Sequence, residues 1–176
     1  MRAGPDAHLG RLAAGIEGAA TEPGLVRRLV LVGGWAHSTG PRDGFYFETW
    51  RKLLDTDREL FKRFSALTGF SAAALDRFGH EGLAQSLADA WPPPGIGRQI
   101  DLGARVDIRD LLPRITAPTL VVGLGGDNMI PMEGSRQLAA AIPGARLVEL
   151  DGEGHMDWFA DPTGLVELTR DFLDAD

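Results

Sequence analysis

The sequence predicts an α/β fold in which a partial parallel sheet carries an inserted helical segment. Three short apolar runs, at 29–32, 119–122 and 146–150, have the length and the valine or leucine content of strands. Each run ends at a glycine or an Asp-Gly pair, and helix-like sequence follows it. Parallel strands need a crossover connection, which is usually a helix, so this alternation indicates a parallel sheet.

The connections support the same fold. The first two runs are apolar at consecutive positions, as expected for strands that are covered on both faces. Residues 133–142 have apolar side chains at helical spacing and predict a right-handed crossover helix between the second and third runs. A last helix is predicted to start at Asp161-Pro162, a capping residue followed by proline, and to reach about Leu173.

The strand signal disappears between residues 35 and 113, where helices are predicted instead. A second helix of this segment is predicted to begin after the capping residue Ser71, with a break near Gly79, and to run towards Ala90. The Trp-Pro-Pro-Pro stretch that follows predicts a stiff, non-helical connector. The first helix of the segment is predicted from six apolar residues on one side: Trp50, Leu53, Leu54, Phe61, Phe64 and Leu67.

The chain therefore divides into three predicted parts. Residues 1–34 form an N-terminal helix and strand of the sheet core. Residues 35–113 form a helical cap insertion that stands over the edge of the sheet. Residues 114–176 form the C-terminal part of the sheet core, which carries the loops where chemistry is expected.

The composition is that of a folded, water-soluble protein and excludes several classes of partner. The 176 residues are 44% hydrophobic and 24% charged, with a formal net charge of −7. The densest basic stretch, Arg58–Arg63, is interrupted by Glu59 and predicts a solvated helix face, so no nucleic acid and no membrane are expected as partners. The N-terminus lacks the apolar core of a signal peptide, which predicts a cytoplasmic protein. The chain has no cysteine, so disulfides, cysteine zinc sites and thiol nucleophiles are excluded.

Chemistry is expected just beyond the carboxyl ends of the strands, where open α/β sheets bind their ligands. Asp127 follows the second run and His155 follows the third. A carboxylate beside an imidazole fixes the ring's tautomer and stabilises its protonated form. The pair can then act as a general base near neutral pH.

The stretch from Ile115 to Leu173 resembles the C-terminal part of the α/β-hydrolase family. The resemblance rests on an Ala-Pro-Thr entry to the second strand, a Gly-Asp-x-x-x-Pro loop ending at Pro131 and a Gly-x-Gly-His loop ending at His155. The Asp-Pro pair that opens the final helix completes it. Upstream, residues 22–32 resemble the helix end and strand that follow the family's nucleophile.

This resemblance implies that Asp127 is the acid and His155 the base of a catalytic triad. Each residue also has a simpler interpretation. Asp127 could be only a turn residue or the cap of the next helix, and His155 could be only a hydrogen-bonded loop histidine. His8, His37 and His80 match no family motif and are expected at the surface or packed inside.

Two tryptophans lie just past strand ends. Trp35 follows the first run and Trp158 lies in the loop after the third. Each is a candidate for lining a pocket, with ordinary core packing as the alternative.

The family's nucleophile is not recognisable in the sequence. Its Gly-x-Ser-x-Gly turn is expected one helix before Pro23, among residues 6–11, yet the first serine of the chain is Ser38. Asp6 is a weak candidate for a nucleophile that forms an aspartyl ester. A bare Asp–His pair that activates water or abstracts a proton is another route.

The resemblance also implies an exposed strand edge. In the family, the three strands are the last three of an eight-stranded sheet, so the run Leu29–Val32 lacks its neighbour and presents an apolar edge. Either a second copy or a partner chain covers this edge, or the native protein is longer. Residues 1–18 resemble nothing in the family and fit a misread start or translation in a wrong frame.

The function implied by the resemblance is hydrolysis of a small neutral compound such as an ester, a lactone or an epoxide, with no metal and no organic cofactor. Whether the chain is truncated or inactive as it stands is left open. The alternative is a non-catalytic remnant that binds a small apolar ligand or a partner chain. A third version has this chain completing an active site with a separately encoded N-terminal half.

Overall fold

Three parallel strands form the sheet, as predicted. A computed structural model of the chain describes residues 8–88, 92 and 94–175. The strands are β1 (Leu29–Val32), β2 (Thr119–Leu124) and β3 (Arg146–Leu150), in the spatial order β1-β2-β3. β2 lies in the centre, and all six of its residues are buried.

Helices precede, connect and follow these strands. None of those within the described ranges is long and apolar enough to cross a membrane. Two short 3-10 turns accompany them, at Leu112–Arg114 and Asp157–Phe159. The helices are α1 (His8–Thr21), α2 (Pro41–Thr56), α3 (Arg58–Gly69), α4 (Ala72–Ala88), α5 (Ile96–Gly103), α6 (Met132–Ala141) and α7 (Thr163–Asp174).

The sheet is covered on both faces, which explains the continuous apolar character of the central strand. On one face, Ile16 of α1 and Leu138 of α6 pack with Val121, and all three are fully buried. On the other face, Phe172 of α7 packs against the cluster that contains Val122. Burying side chains of this size contributes about 1.5–3 kcal/mol each, so this three-layer core holds the strand ends in a fixed relative position.

The first helix predicted in the inserted segment is two helices. Asp57 separates α2 from α3 with an extended backbone at φ −152° and ψ 97°, and its side chain caps α3 by accepting hydrogen bonds from the N–H groups of Glu59 and Leu60. Phe61 and Phe64 of α3 pack in the core as predicted, whereas Leu67 is 64% exposed and its predicted place on the apolar side is wrong.

The next helix follows the prediction. The Ser71 hydroxyl accepts a hydrogen bond from Ala74 N–H at 3.1 Å, and Gly79 breaks α4 with φ +64°. Helix α5 was not predicted, although Ile96 and Ile100 are buried in the aromatic cluster of this segment. Trp91 and Pro93, two residues of the predicted connector, lie outside the described residues.

Helix α1 is part of the core. Ile16 and Ala19 are fully buried and belong to the same cluster as Leu29 and Leu31 of β1. The buried side chain of Ile16 agrees with the predicted N-terminal helix of the sheet core and speaks against a misread start at this position. Asp6, the weak nucleophile candidate, lies outside the described residues.

Candidate active site

The structure brings Asp127 and His155 together at the carboxyl ends of β2 and β3. Asp127 comes three residues after β2 ends, and His155 follows β3 after a turn. His155 Nδ1 lies 2.7 Å from Asp127 Oδ2. The predicted meeting of the two loops at one end of the sheet is confirmed as a direct hydrogen bond.

Asp127 is held rigidly by its own loop. Its side chain is fully buried, and Oδ1 accepts hydrogen bonds from Met129 N–H at 2.8 Å and Ile130 N–H at 2.7 Å. One carboxylate oxygen therefore shapes the turn while the other faces the imidazole. The simpler reading of Asp127 as a turn residue is correct, and it coexists with the pairing to His155.

The His155 ring packs against Gly33, the residue that directly follows β1. A Cβ atom on Gly33 would lie 3.1 Å from His155 Nδ1, and the Gly33 backbone has φ +55°, a region that favours glycine. The His155 side chain is 17% exposed. With Nδ1–H donated to Asp127, the neutral ring carries its lone pair on Nε2, which is the arrangement a general base needs.

The loop that carries Asp127 (the acid loop, residues 125–131) and the loop that carries His155 (the histidine loop, residues 151–158) touch through glycines. Gly126 N–H donates to Glu153 O at 2.8 Å, and Gly125 N–H donates to Leu150 O at 2.9 Å. A Cβ on Gly126 would lie 2.6 Å from Gly152 O, so a side chain there would push the loops apart. The glycines before Asp127 therefore allow the two loops to pack closely, in addition to forming the turn.

The inserted helices also contact both loops, which sequence reasoning missed. The Arg42 guanidinium of α2 donates to the carbonyls of Asn128 and Met129, the latter at 3.1 Å. From the end of α3, Gly69 O accepts a hydrogen bond from Met156 N–H at 2.8 Å. No local pattern marks these residues, because each contact joins positions far apart in the chain.

A model of the α/β hydrolase fold family matches residues 15–162. The chain belongs to this family. The match contains the whole sheet, the inserted helices and both loops of the Asp127–His155 pair. It also begins within residues 1–18, in agreement with the buried position of Ile16.

Curated relatives of this α/β hydrolase are longer than the chain. A pyrrolizixenacetamide deacetylase of Xenorhabdus hominickii is 35% identical over 158 residues, which are 88% of this chain and 59% of the relative. A putative carbamate hydrolase RutD of Pseudomonas savastanoi is 30% identical over 92% of this chain and 63% of its own length. The chain thus spans about three fifths of these relatives.

Solved α/β hydrolases share the fold. MGS-M2, an α/β hydrolase enzyme from a deep-sea metagenome library, superimposes with a TM-score of 0.80 at 20% identity, over 96% of this chain and 63% of that one. The enol-lactonase of Burkholderia xenovorans gives a TM-score of 0.75 at 24% identity, over 92% of this chain and 61% of that one. At these identities the likeness concerns the fold alone.

Two of the remaining histidines have surroundings of their own. His80 is exposed, and His37 Nδ1 hydrogen-bonds to Thr39 Oγ1 at 2.8 Å. The side chain of His8 lies outside the description. Ser38, the first serine of the chain, accepts a hydrogen bond from Trp35 Nε1 and donates one to a backbone carbonyl of α5, so its hydroxyl serves packing.

Both tryptophans combine packing with pocket lining. Trp35 is buried and stacked on Phe47, and it borders a cavity of about 370 Å³ beside the start of α6. Trp158 borders a second cavity of about 460 Å³, and its Nε1–H donates to His155 O at 2.9 Å. Neither of these two cavities is lined by Asp127 or His155.

Tyr46, the one tyrosine of the sequence, is buried within reach of the negative charge of Asp127. Burial raises the pKa of Tyr46 well above its usual value, and the negative charge of Asp127 acts in the same direction. Its hydroxyl lies 3.3 Å from Thr68 Oγ1. Tyr46 therefore stays neutral around neutral pH and is available only as a hydrogen-bonding group.

Proposed function

We propose that this chain carries the acid–base pair of a hydrolase that acts on a small ester-like compound, with Asp127 as the acid and His155 as the base. The observation that carries the proposal is the 2.7 Å contact between His155 Nδ1 and a fully buried Asp127 carboxylate at the ends of neighbouring parallel strands. Family membership supports the same assignment, since ligands of such sheets bind at this end.

In the proposed reaction, His155 Nε2 removes the proton of an attacking hydroxyl. The oxygen of that hydroxyl bonds to the substrate's carbonyl carbon, and the carbonyl oxygen becomes the oxyanion of a tetrahedral intermediate. Asp127 holds the ring and stabilises the imidazolium without taking the proton. When the tetrahedral intermediate collapses, the bond to the leaving group breaks and His155 returns the proton to it. The hydroxyl belongs either to water or to a side chain, and detection of an acyl-enzyme by mass spectrometry separates the two.

The substrate class is drawn from what the relatives are named for. Alongside the deacetylase and the carbamate hydrolase stands a pimeloyl-[acyl-carrier protein] methyl ester esterase of Neisseria meningitidis, 27% identical over 89% of this chain. All three names describe cleavage at a carbonyl carbon. We therefore favour a small acyl compound over the epoxide that the sequence left open, and the chemistry uses neither a metal nor an organic cofactor.

The inserted segment, residues 35–113, is proposed to act as a cap over this site. Its support is the pair of contacts by which Arg42 and Gly69 reach the acid loop and the histidine loop. A cap in this place would shape the substrate pocket and exclude water from the reacting centre.

Hydrolysis of p-nitrophenyl acetate by the chain tests the proposal. We expect the His155→Ala variant to lose about a hundredfold or more in kcat/KM, because general acid–base catalysis contributes 10² to 10⁴ in rate. His80→Ala is the matched control and should keep the wild-type rate, since His80 is exposed and belongs to no family motif.

Equal turnover in wild type and His155→Ala would overturn the assignment of the base. Absence of any turnover by the wild-type chain would overturn the hydrolase proposal for this chain. The non-catalytic alternative, binding of a small apolar ligand or a partner chain, would then be favoured.

A further inference from the structure

A second buried carboxylate holds the backbone around His155. Asp157 is 4% exposed and lies two residues after the histidine. Its Oδ2 accepts a hydrogen bond from Gly154 N–H, and its Oδ1 accepts one from Ser71 N–H, both at 3.0 Å. One side chain thus joins the residue before His155 to the start of helix α4.

The 68–71 turn, made of the last two residues of α3 and the two residues that precede α4, contacts the loops of both members of the pair. Thr68 O accepts a hydrogen bond from Asn128 N–H at 3.2 Å, in the acid loop. Gly69 O accepts one from Met156 N–H at 2.8 Å, in the histidine loop. This turn is therefore fixed to the residue that follows Asp127 and to the residue that follows His155.

The turn and the histidine loop are packed without free space. A Cβ atom on Gly154 would overlap Ser71 N and would lie 2.8 Å from Gly69 O. A Cβ on Gly69 would lie 2.5 Å from Met156 Sδ. Because the two backbones touch directly, a displacement of the turn must displace the histidine loop as well.

We propose that Asp157 is a positioning residue that sets the orientation of His155 towards Asp127 by fastening the histidine loop to the 68–71 turn. Its effect on turnover rests on the proposed function, whereas its effect on the ring does not. Asp157 accepts two backbone hydrogen bonds in a buried place, so replacing the carboxylate leaves a buried N–H group without its partner. A misplacement of a reacting group by about 1 Å costs about 10² in rate.

The test observes the His155 ring itself. In a proton spectrum of the chain, the Nδ1–H shared with Asp127 should give a resonance far downfield of the amides. With four histidines in the chain, loss of that resonance in His155→Ala assigns it. We expect Asp157→Asn to shift or broaden the resonance, because the asparagine amide group would face one of the two N–H donors.

The kinetic test uses the same variant. Where the chain turns over p-nitrophenyl acetate, the kcat of Asp157→Asn should fall about tenfold to a hundredfold, with KM within about twofold of the wild-type value.

Asp161→Asn is the matched control. Asp161 also accepts a backbone hydrogen bond, from Thr163 N–H at 3.0 Å at the start of α7, but it is exposed and lies outside the histidine loop. Its variant should leave the resonance and kcat unchanged.

An unchanged resonance in a folded Asp157→Asn variant would overturn the proposal. If that variant fails to fold, hydrogen exchange on the wild-type chain decides, since the Ser71 and Gly154 amides should be strongly protected and exchange at the free-chain rate would overturn it. A shifted resonance in a chain with no turnover would keep Asp157 as a positioning residue for the ring while refuting the hydrolase proposal.

Discussion

At the scale of the residue, Gly33 shows how the His155 ring depends on a backbone far away in the chain. Gly33→Ala should destabilise the fold by about 1–2 kcal/mol through its positive φ, and should also disturb the ring because the new Cβ would lie 3.1 Å from Nδ1. Gly144→Ala is the control, since Gly144 has φ +71° with nothing within 4 Å. Urea unfolding measures the loss of stability, and the downfield proton resonance measures the disturbance of the His155 ring. An unchanged resonance in both variants would show that the contact between Gly33 and the ring has no consequence.

At the scale of the element, the break between α2 and α3 depends on one cap. Asp57→Ala should lower the free energy of unfolding by about 1 kcal/mol, because Oδ1 accepts the N–H groups of Glu59 and Leu60, both at 3.0 Å. Asp55→Ala is the control: it removes only an exposed ion pair with Arg51 and should change stability by less than about 0.5 kcal/mol. Urea denaturation of the two variants checks this, and a loss no larger than that of the control would contradict the capping role.

At the scale of the whole molecule, we expect the outer edge of β1 to be the place where a second copy associates. Leu29 and Gly33 donate their N–H groups to carbonyls at Pro118 and Val122, so the alternation of the strand points the N–H of Val30 away from β2. Within the part of the chain that the structure describes, no strand pairs with this edge. We expect sedimentation velocity to show an oligomer that forms with rising concentration, through a second copy added at β1.

The edge prediction has its own pair of variants. Val30→Pro removes the outward N–H and should shift the oligomer towards monomer, whereas Val30→Thr keeps that N–H and should associate like the wild type. A chain that stays monomeric at every concentration, or equal association of the two variants, would contradict self-pairing at β1.

Most of the fold could be predicted because its signals are local. Continuous apolar runs identify strands buried on both faces, and a capping residue with proline identifies the start of α7 within two residues. The approach of Asp127 to His155 was also predictable, since carboxyl ends of parallel strands meet at one edge of a sheet. The break at Asp57 was missed because a single amphipathic pattern runs across α2 and α3. Helix α5 was missed because its eight residues are too few to give a clear helical pattern.

The sequence by itself determined the α/β class, the three strands, and the pair of loops that carry Asp127 and His155. Only the tertiary structure decided how that pair is held: by Gly33 under the ring, by Arg42 on the acid loop, and by Asp157 on the 68–71 turn. The physical reason is the range of the interactions. Strand and helix signals arise between neighbours in the chain. These supports, by contrast, are hydrogen bonds and close packing between positions 86 or more residues apart, which no local pattern records.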